Sequence, residues 1–425
     1  MIQNFKKIVL DNGLRIILVP EAQSLATTVL ILVEAGSKYE TKEINGLSHF
    51  LEHMCFKGTK KRPTSIDISS ELDSIGAFYN AFTSMESTGY FAKSRPEHFD
   101  TILDVVSDIY LNQIFDLKEI DKERGVIIEE INMYEDLPMR RVQESFTTLL
   151  YGDQPAGWDI AGRKEVIKKL TREDFIKYHS GHYLSQSSLV VIAGKFDETE
   201  AVEKIKAVFA NVKLGKKIPK IKTFEQQDKP GVLLKTKKTD QTHLVLGVRT
   251  FDIFDERKYG LEVLADILGG GLSSRLFQKI REEMGAAYYV DAEADLLTDH
   301  GYLAVSAGID HNKINEVIEA ILEEFKKLTT ELISEKELER AKNHLIGHLI
   351  LGLETSDRMA WFYGAREILT KEIITPQELI KKIQEVKSEE IGEIAKDIFW
   401  DSKLNLALIG PFEESSRFEK ILSLK

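Results

Sequence analysis

One cysteine in 425 residues, Cys55, leaves no partner for an internal disulfide and fits a reducing compartment. No apolar run approaches the ~20 residues that a membrane-spanning helix needs, so no membrane partner is expected. The N-terminal Met1-Ile2-Gln3-Asn4-Phe5-Lys6-Lys7 lacks the apolar core of a signal peptide and is expected to run straight into a strand, which makes the cytoplasm the expected location. Basic residues are in deficit. Against 69 Asp and Glu stand 57 Lys and Arg, and the resulting charge of −12 argues against general nucleic-acid binding. Histidine is scarce as well, with ten in the chain, so where the histidines stand carries information.

What is present is a chain 43% hydrophobic and 30% charged, long enough for two or more packed domains. Its most informative segment is His49-Phe50-Leu51-Glu52-His53. On a helix, residues i and i+4 share a face, so both imidazoles can grip one metal ion. Glu52 lies where its carboxylate reaches a metal-bound water. This is the inverse of the commoner His-Glu-x-x-His zinc-peptidase order. Cys55 follows closely but reads as a buried small apolar residue rather than a ligand.

A catalytic zinc takes three protein ligands and a water, so a third ligand must come from elsewhere. The segment Lys122–Tyr134 reads as a helix after the acidic stretch Asp116–Lys122. Glu123 and Glu130 are seven positions apart and fall within about 20° of one face at 100° per residue. Glu130 is the expected ligand, and Glu123 the carboxylate that orients a histidine ligand. Glu129 is turned from that stripe and is the alternative.

The chain repeats itself. Gly89-Tyr90-Phe91-Ala92-Lys93-Ser94 leads into the helical pattern 99–111, and Gly301-Tyr302-Leu303-Ala304-Val305-Ser306 into the pattern 314–328. Each half closes on a strand and a glycine, at 189–194 and 404–410. Two homologous α+β domains are implied, over residues 1–212 and 232–425. The lysine-rich, apolar-poor stretch 213–231, with Pro219 and Pro230, reads as a solvated linker. The second half also holds His344-Leu345-Ile346-Gly347-His348, with glycine where a base would stand, and this pair reads as ordinary helix histidines.

The sequence resembles the pitrilysin/insulinase zinc peptidases, whose short members include the mitochondrial-processing-peptidase-like proteins. The family pattern is His-x-x-Glu-His followed by a glutamate about 75–80 residues on, within a Glu-Arg-x-Val-Ile-x-x-Glu-like helix. The resemblance extends over nearly the whole chain. It includes Leu10-Asp11-Asn12-Gly13-Leu14-Arg15, Gly76–Thr83 and Gly269-Gly270-Gly271-Leu272-Ser273-Ser274-Arg275-Leu276.

The resemblance implies a zinc-dependent endopeptidase with one Zn2+ per chain on His49, His53 and Glu130. Attack by a zinc-bound water with Glu52 as general base is the implied chemistry. Arg281 and Tyr288 match a pair that the family uses to hold the scissile carbonyl. The strand Asn80-Ala81-Phe82-Thr83 is expected to offer its edge to an extended peptide substrate. Each domain is expected to be a mostly antiparallel sheet with helices packed on it, together one half of a clamshell. A homodimer follows, with Arg281 and Tyr288 serving the partner's zinc, or alternatively a heterodimer with a homologous subunit. The other reading is a non-catalytic peptide-binding or scaffold subunit.

Overall fold

Three segments of the first half read as unbroken apolar runs, the pattern of strands covered on both faces. In the computed structural model, which describes residues 5–424, they form the middle of a sheet. The reading of Met1–Asn4 as part of a leader-free N-terminus lies outside the described residues. The strands are β1 (Lys6–Val9), β2 (Arg15–Pro20), β3 (Thr27–Val33), β4 (Phe78–Thr83), β5 (Thr88–Ser94) and β6 (Ser188–Gly194), in the order β1-β2-β6-β3-β5-β4. Only β2 and β6 pair in parallel. Ile16, Leu18, Val29, Ile31, Val190 and Ile192 face a core completed by the helices Leu47–Cys55 and Phe99–Leu111. The helix Ser356–Thr370 packs on the same strands, and Gly364 sets its approach. A Cβ there would stand 2.8 Å from Leu32 Cδ1.

The second sheet holds β7 (Gly231–Thr236), β8 (Thr242–Thr250), β9 (Ala287–Leu296), β10 (Gly301–Ile309) and β11 (Leu404–Gly410), in the order β7-β11-β8-β10-β9. Again one pair alone, β7–β11, is parallel. Strand for strand this repeats β2-β6-β3-β5-β4. The chain is α+β, with two mostly antiparallel sheets and helices packed on each.

The compact units are not the contiguous stretches 1–212 and 232–425. One comprises Met1–Ile131, Asp159–Ile221 and Ile350–Thr375, the other Asn132–Trp158, Lys222–Leu349 and Pro376–Lys425. The helix Pro138–Tyr151 thus belongs with the second sheet, where Val142, Phe146 and Leu150 pack among Val245, Ala304 and Ile409. The helix Ser356–Thr370 belongs with the first. Periodicity gives each helix an apolar face but does not say which sheet covers it. The stretch 213–231 has no regular structure before Gly231 opens β7. It is fastened rather than merely solvated, since Lys217 pairs with Glu34 and Lys220 with Glu86, both buried carboxylates. No helix among the described residues is long and apolar enough to cross a membrane.

The helix Leu47–Cys55 buries Leu47, Phe50, Leu51 and Met54 and leaves His49, Glu52 and His53 only partly covered. Its N-terminus is held from outside the local sequence. The fully buried Glu40 carboxylate accepts from Gly46 N and Ser48 N at 2.7 Å each, and also from the Ser48 hydroxyl and Asn45 Nδ2. These amides have no partner within the helix, and the anion faces the positive end of the helix dipole. Gly46 enters the helix at φ 96°, and a Cβ there would meet Ala161 O at 2.6 Å.

Burial nevertheless pushes the Glu40 carboxyl up to about 7, against its four donors. The folded chain therefore holds this proton more tightly than the unfolded one. The resulting stability is complete below about pH 4.5 and is lost as pH rises through 7, at up to about 1.4 kcal/mol per pH unit. Glu40→Gln should lower stability through mispaired amides and remove this part of the pH dependence. Urea denaturation of both proteins from pH 4.5 to 8 measures it, and equal slopes would refute the assignment.

Candidate metal centre

Two helices build the centre. The first is Leu47–Cys55, described above. The second is Leu117–Asp136, which buries Ile120, Ile127 and Ile131 against the core and carries Glu123 and Glu130 on one stripe. Glu129 is exposed, as its position off that stripe requires. Glu130 Oε2 lies 3.7 Å from His49 Nε2 and 3.6 Å from His53 Nε2. One donor atom from each of these three residues falls within 4.8 Å of the other two. Ligand atoms about 2.0–2.1 Å from a tetrahedral ion stand ~3.4 Å apart, so the three donors fit a zinc-sized ion with little adjustment.

Glu123 sits behind this trio. Its Oε1 lies 2.9 Å from His53 Nδ1, and Lys57 Nζ lies 2.6 Å from its Oε2. A carboxylate accepts, so Nδ1 carries the proton and Nε2 keeps the lone pair that a metal needs. Burial works to raise the Glu123 carboxyl, yet the bonds from His53 and Lys57 outweigh it and hold the group below its ordinary value. Burial likewise lowers the His53 imidazole, but Glu123, with the charges of Glu52 and Glu130, leaves it raised.

Glu52 is not among the converging donors. Its Oε2 accepts from Thr83 Oγ1 at 2.5 Å. Burial raises its carboxyl and the Glu130 charge adds to that, outweighing Thr83 and His53. Cys55 is fully buried against Tyr90, its thiol pushed up to about 12 by burial, and it offers no ligand.

The sequence-predicted substrate strand is β4, which pairs with β5 alone and forms an edge of its sheet. Its residues divide by the pleat. Ala81 and Thr83 share the face that meets Glu52. Phe82 points the other way, its ring 4.7 Å from that of Trp361, and it fills the space that Gly89 leaves on β5. Asn80 is exposed at the edge, its Oδ1 2.9 Å from Ala81 N.

Arg281 and Tyr288 both lie in the second unit. Arg281 belongs to the π-helical segment Phe277–Glu283, and Tyr288 is 71% exposed on β9, the strand that repeats β4. The guanidinium lies 5.4 Å from the Tyr288 ring centre and donates to the carbonyls of Ala287 and Tyr288. The pair is therefore assembled locally, side by side.

Sequence reasoning missed Glu40, Lys57 and the contact of Thr83 with Glu52. Lys57 stands just past the helix Leu47–Cys55 and pairs with Glu123, far along the sequence, a contact that no local spacing marks. Glu40 acts across a loop of no fixed pattern.

Residues 15–164 match the family model described as insulinase, peptidase family M16, and residues 169–345 match the peptidase M16 inactive domain. The chain is 34% identical to the uncharacterized zinc protease YmxG of Bacillus subtilis over 406 residues, 96% of this chain and 98% of that one. It is also 34% identical over 414 residues to an uncharacterized zinc protease of Rickettsia felis, covering 97% and 98% of the two chains. A protease from Helicobacter pylori shares the fold at TM-score 0.89 and 23% identity, over 97% of this chain and 100% of that one. The chain belongs to the insulinase family of peptidases, M16.

Proposed function

We propose that this chain is a zinc-dependent endopeptidase cleaving unstructured or extended peptides. The observation that carries the reading is the convergence of His49, His53 and Glu130 on one point, with the partly buried Glu52 beside them. The relatives' names as zinc proteases support zinc as the metal, and the one three-donor group among the described residues supports one such ion per chain. Zinc, when bound there, polarises a carbonyl and makes water acidic near neutral pH.

The protein's own groups do the rest. Glu52 takes a proton from the attacking water and delivers it to the leaving amine. Thr83 donates to Oε2, which leaves Oε1 for this task. Arg281 and Tyr288 donate to the developing oxyanion. The free edge of β4 pairs with the substrate main chain, which favours extended peptides over any one side-chain pattern. The chain works as a homodimer in which Arg281 and Tyr288 serve the zinc centre of the partner subunit. A single, buried cysteine with no disulfide partner supports a reducing compartment, the cytoplasm, as its location.

Glu52→Gln should retain zinc and lose 10²-fold or more in kcat on a library of unstructured peptides, on the order expected for a general base. Products are read by mass spectrometry and zinc by elemental analysis. If wild type and variant both bind zinc and peptides but neither cuts, the chain is a binding subunit. Glu123→Gln should weaken zinc retention about 10–100-fold while leaving all three ligands in place. Competition with a chromophoric chelator measures this, and unchanged affinity would refute the orienting role.

Mixing inactive Glu52→Gln chains with inactive Arg281→Ala chains tests the dimer. Shared sites restore about a quarter of the wild-type rate, the statistical share of intact sites. No recovery after subunit exchange is verified would show that the pair acts within its own chain.

A further inference from the structure

The second unit repeats the elements that build the metal centre of the first. There, the helix Leu47–Cys55 lies between β3 and β4, and the helix Leu117–Asp136 follows β5 and the helix Phe99–Leu111. In the second unit, the helix Lys258–Gly269 lies between β8 and β9, and the helix Glu335–Gly352 follows β10 and the helix Ile314–Thr330. In the first unit the short helix supplies histidines and the long helix an orienting carboxylate. In the second the roles are reversed. Asp266 on the short helix bonds His344 on the long one, Oδ1 to Nδ1 at 2.6 Å.

The two histidine pairs match in shape. The rings of His344 and His348 are 4.3 Å apart and inclined at 61°, against 4.8 Å and 70° for His49 and His53. Asp266 is 8% exposed, so its carboxylate is a built acceptor rather than a surface charge. With Nδ1 committed to Asp266, Nε2 is the nitrogen of His344 left for a metal. The His344 side chain is 38% exposed, and glycine at 271 spares Nε2 a Cβ that would stand 3.2 Å away. His348 is exposed one turn along.

We propose that His344 and His348 form a second metal site, taking a divalent transition-metal ion of the nickel, copper or zinc class, with Asp266 orienting His344. Imidazole nitrogens select that class over calcium or magnesium. Among the described residues the one three-donor group is His49, His53 and Glu130. The second site therefore offers two protein donors and completes its coordination with water. It binds more weakly than the first and exchanges its ion. Asp266 lies 78 residues from His344 in sequence, so no local spacing marks their pairing.

Full-length protein brought to one zinc per chain, so that zinc starts in the tighter three-donor site, is titrated with NiCl2 in a calorimeter, with zinc and nickel counted by native mass spectrometry at saturating nickel. The expected result is one Ni2+ per chain in addition to retained zinc. His348→Ala, at an exposed position, should weaken nickel at least tenfold while leaving zinc content and circular dichroism unchanged. Asp266→Asn should weaken it by about 10-fold, the usual effect of losing a carboxylate behind a ligating histidine. No nickel uptake, uptake only by displacement of zinc, or uptake indifferent to His348→Ala would overturn the proposal. The readout is independent of peptide cleavage, so the site stands or falls separately from the peptidase reading.

Discussion

A histidine that is to hold a metal must have one nitrogen deprotonated and aimed while the other is satisfied inside the protein. The bond between His53 Nδ1 and Glu123 meets both needs in one contact, and it also ties the two helices of the centre together. His53 and Lys57 together keep Glu123 anionic despite its burial, so the acceptor is in place before any ion arrives. Glu130, two turns along from Glu123, then reaches the point where the imidazoles meet. Loosening this bond would free the ring of His53 and unlink the helix that carries the third donor.

The two halves share one topology and have diverged in how they use it. Both sheets place the short helix between corresponding strands and bring the long helix after the corresponding strand–helix pair. In the first unit a helix whose start is held by Glu40 carries His49, Glu52 and His53. In the second the same location carries Asp266 and runs into the glycines 269–271. A conserved frame with exchanged donors is the expected outcome when packing positions are constrained by the core and exposed positions are free.

The edge strand β4 meets Glu52 on one face and Trp361 on the other through the pleat. Because successive side chains alternate faces, one strand can hold Thr83 against Glu52 and Phe82 against Trp361, leaving its outer backbone groups for another chain. A shift of register by one residue would reverse both contacts, so the pairing of β4 with β5 fixes the contact with Glu52 as well as the edge.

Much of this was legible in the sequence. The strand and helix repeats, the helix carrying His49, Glu52 and His53, and the shared face of Glu123 and Glu130 all follow from local periodicity. Local periodicity is imposed by backbone geometry, whatever the rest of the chain does. The sequence by itself thus determined which side chains share a face and that the chain folds as a duplicated α+β unit. Only the tertiary structure decided which sheet covers the helices Pro138–Tyr151 and Ser356–Thr370, that Glu40 anchors the helix carrying His49 and His53, and that Asp266 stands behind His344. Those outcomes depend on residues brought together by packing of apolar faces, and an apolar face records that it must be covered without recording by what.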